Sequence, residues 1–355
     1  MPVFGHDALH ALTRAVCLAG GSLPGEAELV ADNLVEANLT GHDSHGVGLL
    51  PAYVRCLHER SLVANRHAEL VVDRGPVLVV EGHRGYGQVI GFETMQLGME
   101  RAAEQGVALV AIRNSFHLGR IGHWAEQCAE QGFASIHFVN GVDHPPLQAP
   151  YGGRDARLST HPFCAAVPGP GGAPVVLDMA TSKIAFGKVR VAANAGVAVP
   201  DDSLLHPEGH VTRDPGVMFL DPRGAMMSVG EHKGSGLAIM CELLAGALTG
   251  GMTNQPEHPQ ADGIINNMLS VMIAPDALGE REAVRREIGA AVAWIKSSRP
   301  RAGFDEVLVP GEPERRRRAV RLAEGIEIDP LSWDHIRAAA ARAGVAEAEI
   351  ERLAG

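Results

Sequence analysis

The sequence has no long apolar run, no basic excess, no paired cysteines and few aromatic residues. The best apolar candidate, residues 237–252, carries Glu242 and several glycines, so no membrane span is expected. Its 31 basic residues face 42 acidic ones, a formal charge of -11, which gives no general support for nucleic-acid binding. That balance still allows an anionic small substrate, because a few local cations can focus a field inside an acidic protein. Cys17, Cys56, Cys128, Cys164 and Cys241 are odd in number, far apart and form no C-x-x-C. A disulfide framework is not expected, and a reducing cytoplasm fits. The opening MPVFGHDALHALTRAV lacks a basic stretch followed by an apolar one, so no signal peptide is read.

What is present is an ordinary globular composition: 355 residues, 46% apolar and 21% charged. That length suits about two domains and a core needing no disulfide or metal. Glycine (42) and histidine (17) are abundant, whereas Phe, Tyr and Trp number 9, 3 and 3. Periodicity predicts helices over 6–19, 25–40, about 87–104, 181–195, 275–298, 312–323 and 332–353. Thr181 or Ser182 is the expected cap of the fourth. Two stripes stand out: Ile121, Trp124, Ala125, Cys128 and Ala129, then Leu237, Met240, Cys241, Leu244, Ala245 and Leu248. Strands are expected at 69–73, 77–81, 107–112, 133–139, 175–179, 268–274 and 304–309, with a loop-rich stretch at 141–174. The class is mixed α/β, and its irregular loops argue against a doubly wound parallel sheet.

Gly85, Gly87 and Gly91 form G-x-G-x-x-x-G, one residue longer than the dinucleotide fingerprint, and read better as a glycine turn between strand and helix. No Walker sequence and no H-E-x-x-H occurs. The histidine pairs 42/45, 117/123, 137/144 and 206/210 lack structural zinc spacing, so no metal is expected. GHDSHGVG at 41–48 packs two histidines, an Asp and a Ser between glycines, which suits a placed proton donor. The plainer alternative is a turn in which Asp43 or Ser44 caps the next helix. In NSFHLGRIGHWAE at 114–126, His117 and Arg120 lie where a strand meets a helix, a place where an anion binds readily. Its plainer alternative is a cap by Asn114 or Ser115. GEHKGSG at 230–236 puts His232 and Lys233 at another helix start, and Arg315–Arg318 reads as a solvated helix face.

Together these segments resemble the malate/L-lactate dehydrogenase family that lacks a Rossmann fold, the sulfolactate dehydrogenase-like type. APYGGRDARLSTHPF, VVLDMATSKIAFGKV, DDSLLHPEGHVTRDPG, GEHKGSGLAIMCELLAGALTGG and GFDEVLVPGE follow in that family's order over most of the chain. The likeness is greatest to the bacterial 2-hydroxycarboxylate dehydrogenase branch. The resemblance implies a largely antiparallel central sheet in a domain over 76–275. It implies a helical domain from both termini, 1–75 plus 276–355, and a homodimer. It further implies hydride transfer between NAD or NADP and C2 of a small 2-hydroxy acid, without metal, nucleic acid or membrane.

By the same resemblance His45 is the proton donor and acceptor, with Ser44 beside it. His117, Leu118, Gly119, Arg120 and Ile121 contact the cofactor, and His117 also has the acid/base role in some members. Thr160 touches substrate. Asp178, Met179 and Ala180 match the nicotinamide segment, and His232, Lys233, Gly311 and Glu312 match further cofactor contacts. Many members carry an Arg for the substrate carboxylate where this chain has Leu49, so Arg55 and Arg120 become candidates for that cation. The imine-reductase branch tends to place His and Asp around the segment that here reads Phe186–Gly187–Lys188. Their absence here favours alcohol oxidation or ketone reduction; a cyclic-imine or diketo-sugar-acid reductase is the alternative, with a histidine-based metallohydrolase or an inactive ligand-binding relative behind it.

Overall fold

The computed structural model describes residues 1–258 and 263–354. The chain begins β1 (Val3–Phe4), α1 (His6–Ala19) and α2 (Pro24–Leu39), then two short 3-10 turns at Asp43–His45 and Val47–Leu49. There follow α3 (Leu50–Glu59), β2 (Glu69–Arg74), β3 (Val77–Glu81), α4 (Gly87–Gln105), β4 (Val107–Phe116) and α5 (Gly122–Glu130). Next come β5 (Ala134–Val142), β6 (Phe163–Val167), β7 (Val175–Met179), α6 (Phe186–Ala195), β8 (Leu204–Leu205), β9 (Val211–Thr212) and β10 (Ala225–Met226). The last part holds α7 (His232–Cys241), β11 (Ile265–Ile273), α8 (Arg281–Lys296), α9 (Glu312–Glu324), β12 (Ile326–Glu327), α10 (Pro330–Ala343) and α11 (Glu347–Ala354).

Seven strands form the central sheet in the order β2-β3-β4-β11-β5-β6-β7. Every neighbouring pair is antiparallel except β3 and β4, which α4 joins as a parallel crossover. The glycine turn lies inside this unit, and protein rather than ligand fills the space its glycines leave. A Cβ on Gly87 would meet the His117 carbonyl at 2.2 Å, and one on Gly91 would meet the Trp124 ring at 2.6 Å. Leu9, Leu12, Val16 and Cys17 on α1 pack with α2, α3, α10 and α11 into one apolar cluster. A second cluster joins α4, α5 and the sheet, and takes in the Trp124, Ala125, Cys128 and Ala129 stripe.

Several expectations are corrected. β6 lies inside the stretch read as loop, between flanking prolines and glycines that hid it. The fourth helix starts at Phe186, because the Thr181 and Ser182 hydroxyls donate to the carbonyls of Thr160 and Ile184 instead of capping. Residues 304–309 form no strand, α8 starts only at Arg281, and Gly344 with φ 108 divides the last helix. β4 runs on to Phe116, so Asn114 and Ser115 are strand residues; Asn114 Nδ2 donates to Glu81. Along α7 and its π-helical continuation Glu242–Ala247, Ala238, Cys241 and Ala245 are buried, whereas Met240 and Leu248 are exposed. A π turn shifts the helix face, so regular periodicity does not locate the buried side there.

Candidate active site

The GHDSHGVG loop is built around Asn38 of α2. Asn38 Oδ1 accepts from Val47 N–H at 2.8 Å, and Nδ2 donates to Asp43 Oδ1 at 2.7 Å. A Cβ on Gly46 would lie 2.1 Å from Asn38 Oδ1, so only glycine lets the loop close on its anchor. Arg321 of α9 clamps the other side with paired bonds to Asp43 at 2.7 and 3.0 Å. Asp43 thus holds the loop in place and caps nothing. The two 3-10 turns present Ser44 Oγ 3.0 Å from His45 Nδ1. α6 starts against them: a Cβ on Gly187 would meet Ser44 Cβ at 2.7 Å. This brings Lys188 and Arg190, both exposed, onto the helix next to Ser44.

His117 follows the end of β4. Its Nδ1 lies 2.8 Å from Tyr53 Oη, and Gln88 Nε2 donates to the same oxygen at 2.9 Å. The His45 and His117 rings are stacked, 5.6 Å between centroids and 15° between planes. Burial lowers the His45 pKa to about 4; Asp178 opposes the shift, and His42 and Arg120 add to it. Burial also lowers His117 to about 3, with His45 and His144 adding to the effect. Both rings are therefore neutral at pH 7. Among the described residues, no hydrogen bond takes the Nε2 of either ring.

Asp178 fills the anion site expected at the start of α5. Its Oδ2 accepts from Gly122 N–H at 3.0 Å and from Arg120 Nε at 3.2 Å. Arg120 also makes a paired contact with Glu126, at 2.9 and 2.7 Å. Burial works against its charge, but Glu126 and Asp178 outweigh it and hold the guanidinium protonated. With its donors committed to two carboxylates, Arg120 is a poor candidate for the substrate's carboxylate. Arg55 is turned the other way. It lies two residues beyond Tyr53, about 200° around α3, and pairs with Glu59 at 3.4 Å. Leu49 packs against the helical core.

The remaining expected residues divide. Leu118 and Ile121 are core side chains, and Gly119, at φ 72, takes a backbone turn beside Asn33. Thr160 fixes Thr181 through its carbonyl, and its neighbour Ser159 lies 3.2 Å from His144. Met179 and Ala180 are partly exposed at the end of β7. Gly311, at φ 91, and Glu312 sit at the other end, where Val176 N–H reaches Pro310. Glu312 is engaged by Lys296 and by Val309 N–H. His232 and Lys233 are exposed; His232 has a ring contact with Tyr151 and lies in no contact with the stacked pair.

Among the described residues, two groups bring three metal-type ligand atoms together: His206, Glu208 and His210, and His10, Glu28 and Asp32. His45 and His117 belong to neither. Asn38, Tyr53 and Gln88 are site residues the sequence did not single out, and His144 was weighed there only as a metal ligand. Tyr53 reads as one more apolar position on α3, and only its hydroxyl tells otherwise.

Comparison with known proteins places this geometry. A family model described as malate/L-lactate dehydrogenase matches residues 4–337. The chain is 44% identical over 350 residues to hydroxycarboxylate dehydrogenase B of Escherichia coli (strain K12), covering 98% of this chain and 96% of that one. A solved E. coli protein, described provisionally as a malate/lactate dehydrogenase, superposes with a TM-score of 0.95 at 44% identity, over 99% and 98% of the two chains. Sulfolactate dehydrogenase from Methanocaldococcus jannaschii superposes with a TM-score of 0.86 at 30% identity, over 99% of each. The chain belongs to the malate/L-lactate dehydrogenase family of oxidoreductases.

Proposed function

We propose that this protein transfers a hydride between NAD or NADP and C2 of a small 2-hydroxy acid, with His45 handling the hydroxyl proton. The observation that carries the reading is the stacked His45–His117 pair, two neutral imidazoles whose Nδ1 atoms are engaged within the protein. The 2-oxo carbonyl oxygen needs a proton source on reduction, and the hydroxyl needs a base on oxidation.

A nicotinamide cofactor fits the surroundings. Met179 and Ala180 are accessible beside Asp178, which itself acts electrostatically on His45. Gly311 supplies a turn at the opposite end of β7, and Lys188, Arg190 and Lys233 are exposed cations suited to phosphates. When bound, the cofactor supplies or accepts the hydride. The protein's part is to orient the acid and to move the proton. The start of α6 on Ser44, at Phe186–Gly187–Lys188, brings neither His nor Asp, which supports a hydroxy acid over a cyclic imine.

We also propose a homodimer. Ile239, Met240, Leu243 and Leu248 form an exposed apolar face on α7 and its continuation, the kind of surface that marks an interface. Five free, buried cysteines support a reducing, cytoplasmic setting. No helix among the described residues is long and apolar enough to cross a membrane.

The deciding experiment is a screen of NADH and NADPH oxidation against pyruvate, oxaloacetate, hydroxypyruvate, phenylpyruvate and a cyclic imine. Turnover of one or more oxo acids is expected. Turnover of the imine alone, or of nothing, would overturn the reading.

A further inference from the structure

Gln88, Tyr53 and His117 form a hydrogen-bonded chain whose direction follows from counting donors. Gln88 is fully buried, and its Nε2 donates to Tyr53 Oη at 2.9 Å. A hydroxyl carries one proton. With Gln88 occupying a lone pair of the oxygen, that proton is directed to the other neighbour, His117 Nδ1, 2.8 Å away. The Tyr53 ring is fixed in this pose by edge contact with Phe116, 5.2 Å between centroids. A neutral imidazole that accepts at Nδ1 carries its proton at Nε2. The opposite wiring either leaves the Tyr53 proton without an acceptor or requires the Gln88 amide to be reversed. As placed, the amide leaves Oε1 without a partner and uses one of its two N–H donors. Reversed, it would leave an amide N–H pair there, and buried donors are left unpaired less often than acceptors.

His45 is held differently. Its Nδ1 faces Ser44 Oγ, a hydroxyl able to accept, so its Nε2 can carry the lone pair of a base. We propose that the two histidines divide the work: Tyr53 is a positioning residue that holds His117 as the Nε2–H tautomer, a neutral hydrogen-bond donor to the C2 oxygen, while the proton itself passes through His45. The assignment rests on the hydroxy-acid reading above. A neutral Nε2–H imidazole cannot release its proton without becoming an imidazolate, so it serves to stabilise charge developing on oxygen. In the reducing direction C2 gains a hydride from reduced nicotinamide, and the carbonyl π pair moves onto oxygen. Neutral His45 first takes a proton from solvent at Nε2, and that oxygen then takes the Nε2 proton of the resulting imidazolium, leaving His45 neutral again. His117 keeps its proton throughout.

The test is tautomer assignment by two-bond 15N–1H spectra of protein labelled in its histidine rings, with the His117 signals identified from a His117→Asn sample. At pH 7 His117 should appear as the Nε2–H form. Tyr53→Phe keeps the ring packing and removes the hydroxyl; it should give mixed tautomers. It should also lower kcat for the oxo acid about ten- to a hundredfold, with KM changed less than about threefold. If Tyr53→Phe does not fold, Gln88→Leu serves: it frees the hydroxyl to point either way and should also mix the tautomers. An Nδ1–H signal for His117 in the unmodified protein, or a tautomer that neither variant disturbs, would overturn the proposal. Absence of oxo-acid turnover by the unmodified protein would overturn the hydroxy-acid reading and the C2-oxygen role with it; the tautomer spectra answer separately for Tyr53.

Discussion

His45 and His117 stack with 15° between their ring planes, although one lies in a loop after α2 and the other follows a strand of the central sheet. Each ring is a low-dielectric neighbour of the other, and a proton on either makes a second one costlier. A second proton on the pair is therefore harder to add than the first.

Replacing His45 tests the proton role directly. His45→Ala should lower kcat roughly a hundred- to ten-thousandfold, the usual contribution of a placed acid or base. Binding of NADH, followed by its fluorescence, should stay within a few-fold. A variant keeping more than about a tenth of kcat would move the role to His117.

Stability should depend on pH through four partly or fully buried histidines. Burial lowers His137 and His117 to about 3. Burial also lowers His45 and His123 to about 4. The unfolded chain protonates these groups near pH 6.5, so below that pH it binds more protons than the folded one. The stabilisation is complete above about pH 6.5 and is lost progressively as pH falls towards the folded values. Each group contributes at most about 1.4 kcal/mol per pH unit over that window. Urea unfolding at pH 7, 5.5 and 4.5 should show falling midpoints; equal midpoints would mean the rings protonate in the folded state.

Arg120→Met should act on stability before it acts on substrate affinity. It leaves Glu126 and Asp178 without their shared cation in a buried site. Breaking such a pair costs about 3–5 kcal/mol. The double variant Arg120→Met/Glu126→Leu should recover part of that loss in thermal unfolding. A tenfold rise in KM for the oxo acid with unchanged stability would instead restore Arg120 as a substrate ligand.

Gly46→Ala should separate activity from folding. Its Cβ would collide with Asn38 Oδ1, which is already held by Val47 N–H, so the loop must move and carry His45 with it. Overpacking of this kind costs about 1–3 kcal/mol. A fall in kcat of at least about tenfold is expected, because misplacing a catalytic group by an ångström costs about a hundredfold. Full activity in steady-state assays would show that the loop tolerates the shift.

The regular elements were legible wherever burial follows a simple period. α1, β3 and β7 have the bounds their patterns predict, because a stripe or an alternation is a local property of the chain. β6 was hidden by the prolines and glycines around it, and the apolar stripe on α7 and its continuation is split between buried and exposed positions, a π turn shifting the helix face part-way along. At the start of α5 the position expected for an anion holds the protein's own Asp178, 56 residues away from Gly122 in sequence, which no local pattern could show.

By itself the sequence determined the family and the mixed α/β class, because those rest on short ordered motifs and on local periodicity; it also offered His45 and His117 as candidates. It could not determine the partners. Tyr53 meets His117 across 64 residues and Arg120 meets Asp178 across 58. Only the folded sheet brings such groups within hydrogen-bond distance, and that proximity decides which cation is already committed, which ring is held in one tautomer and which nitrogens remain for a substrate.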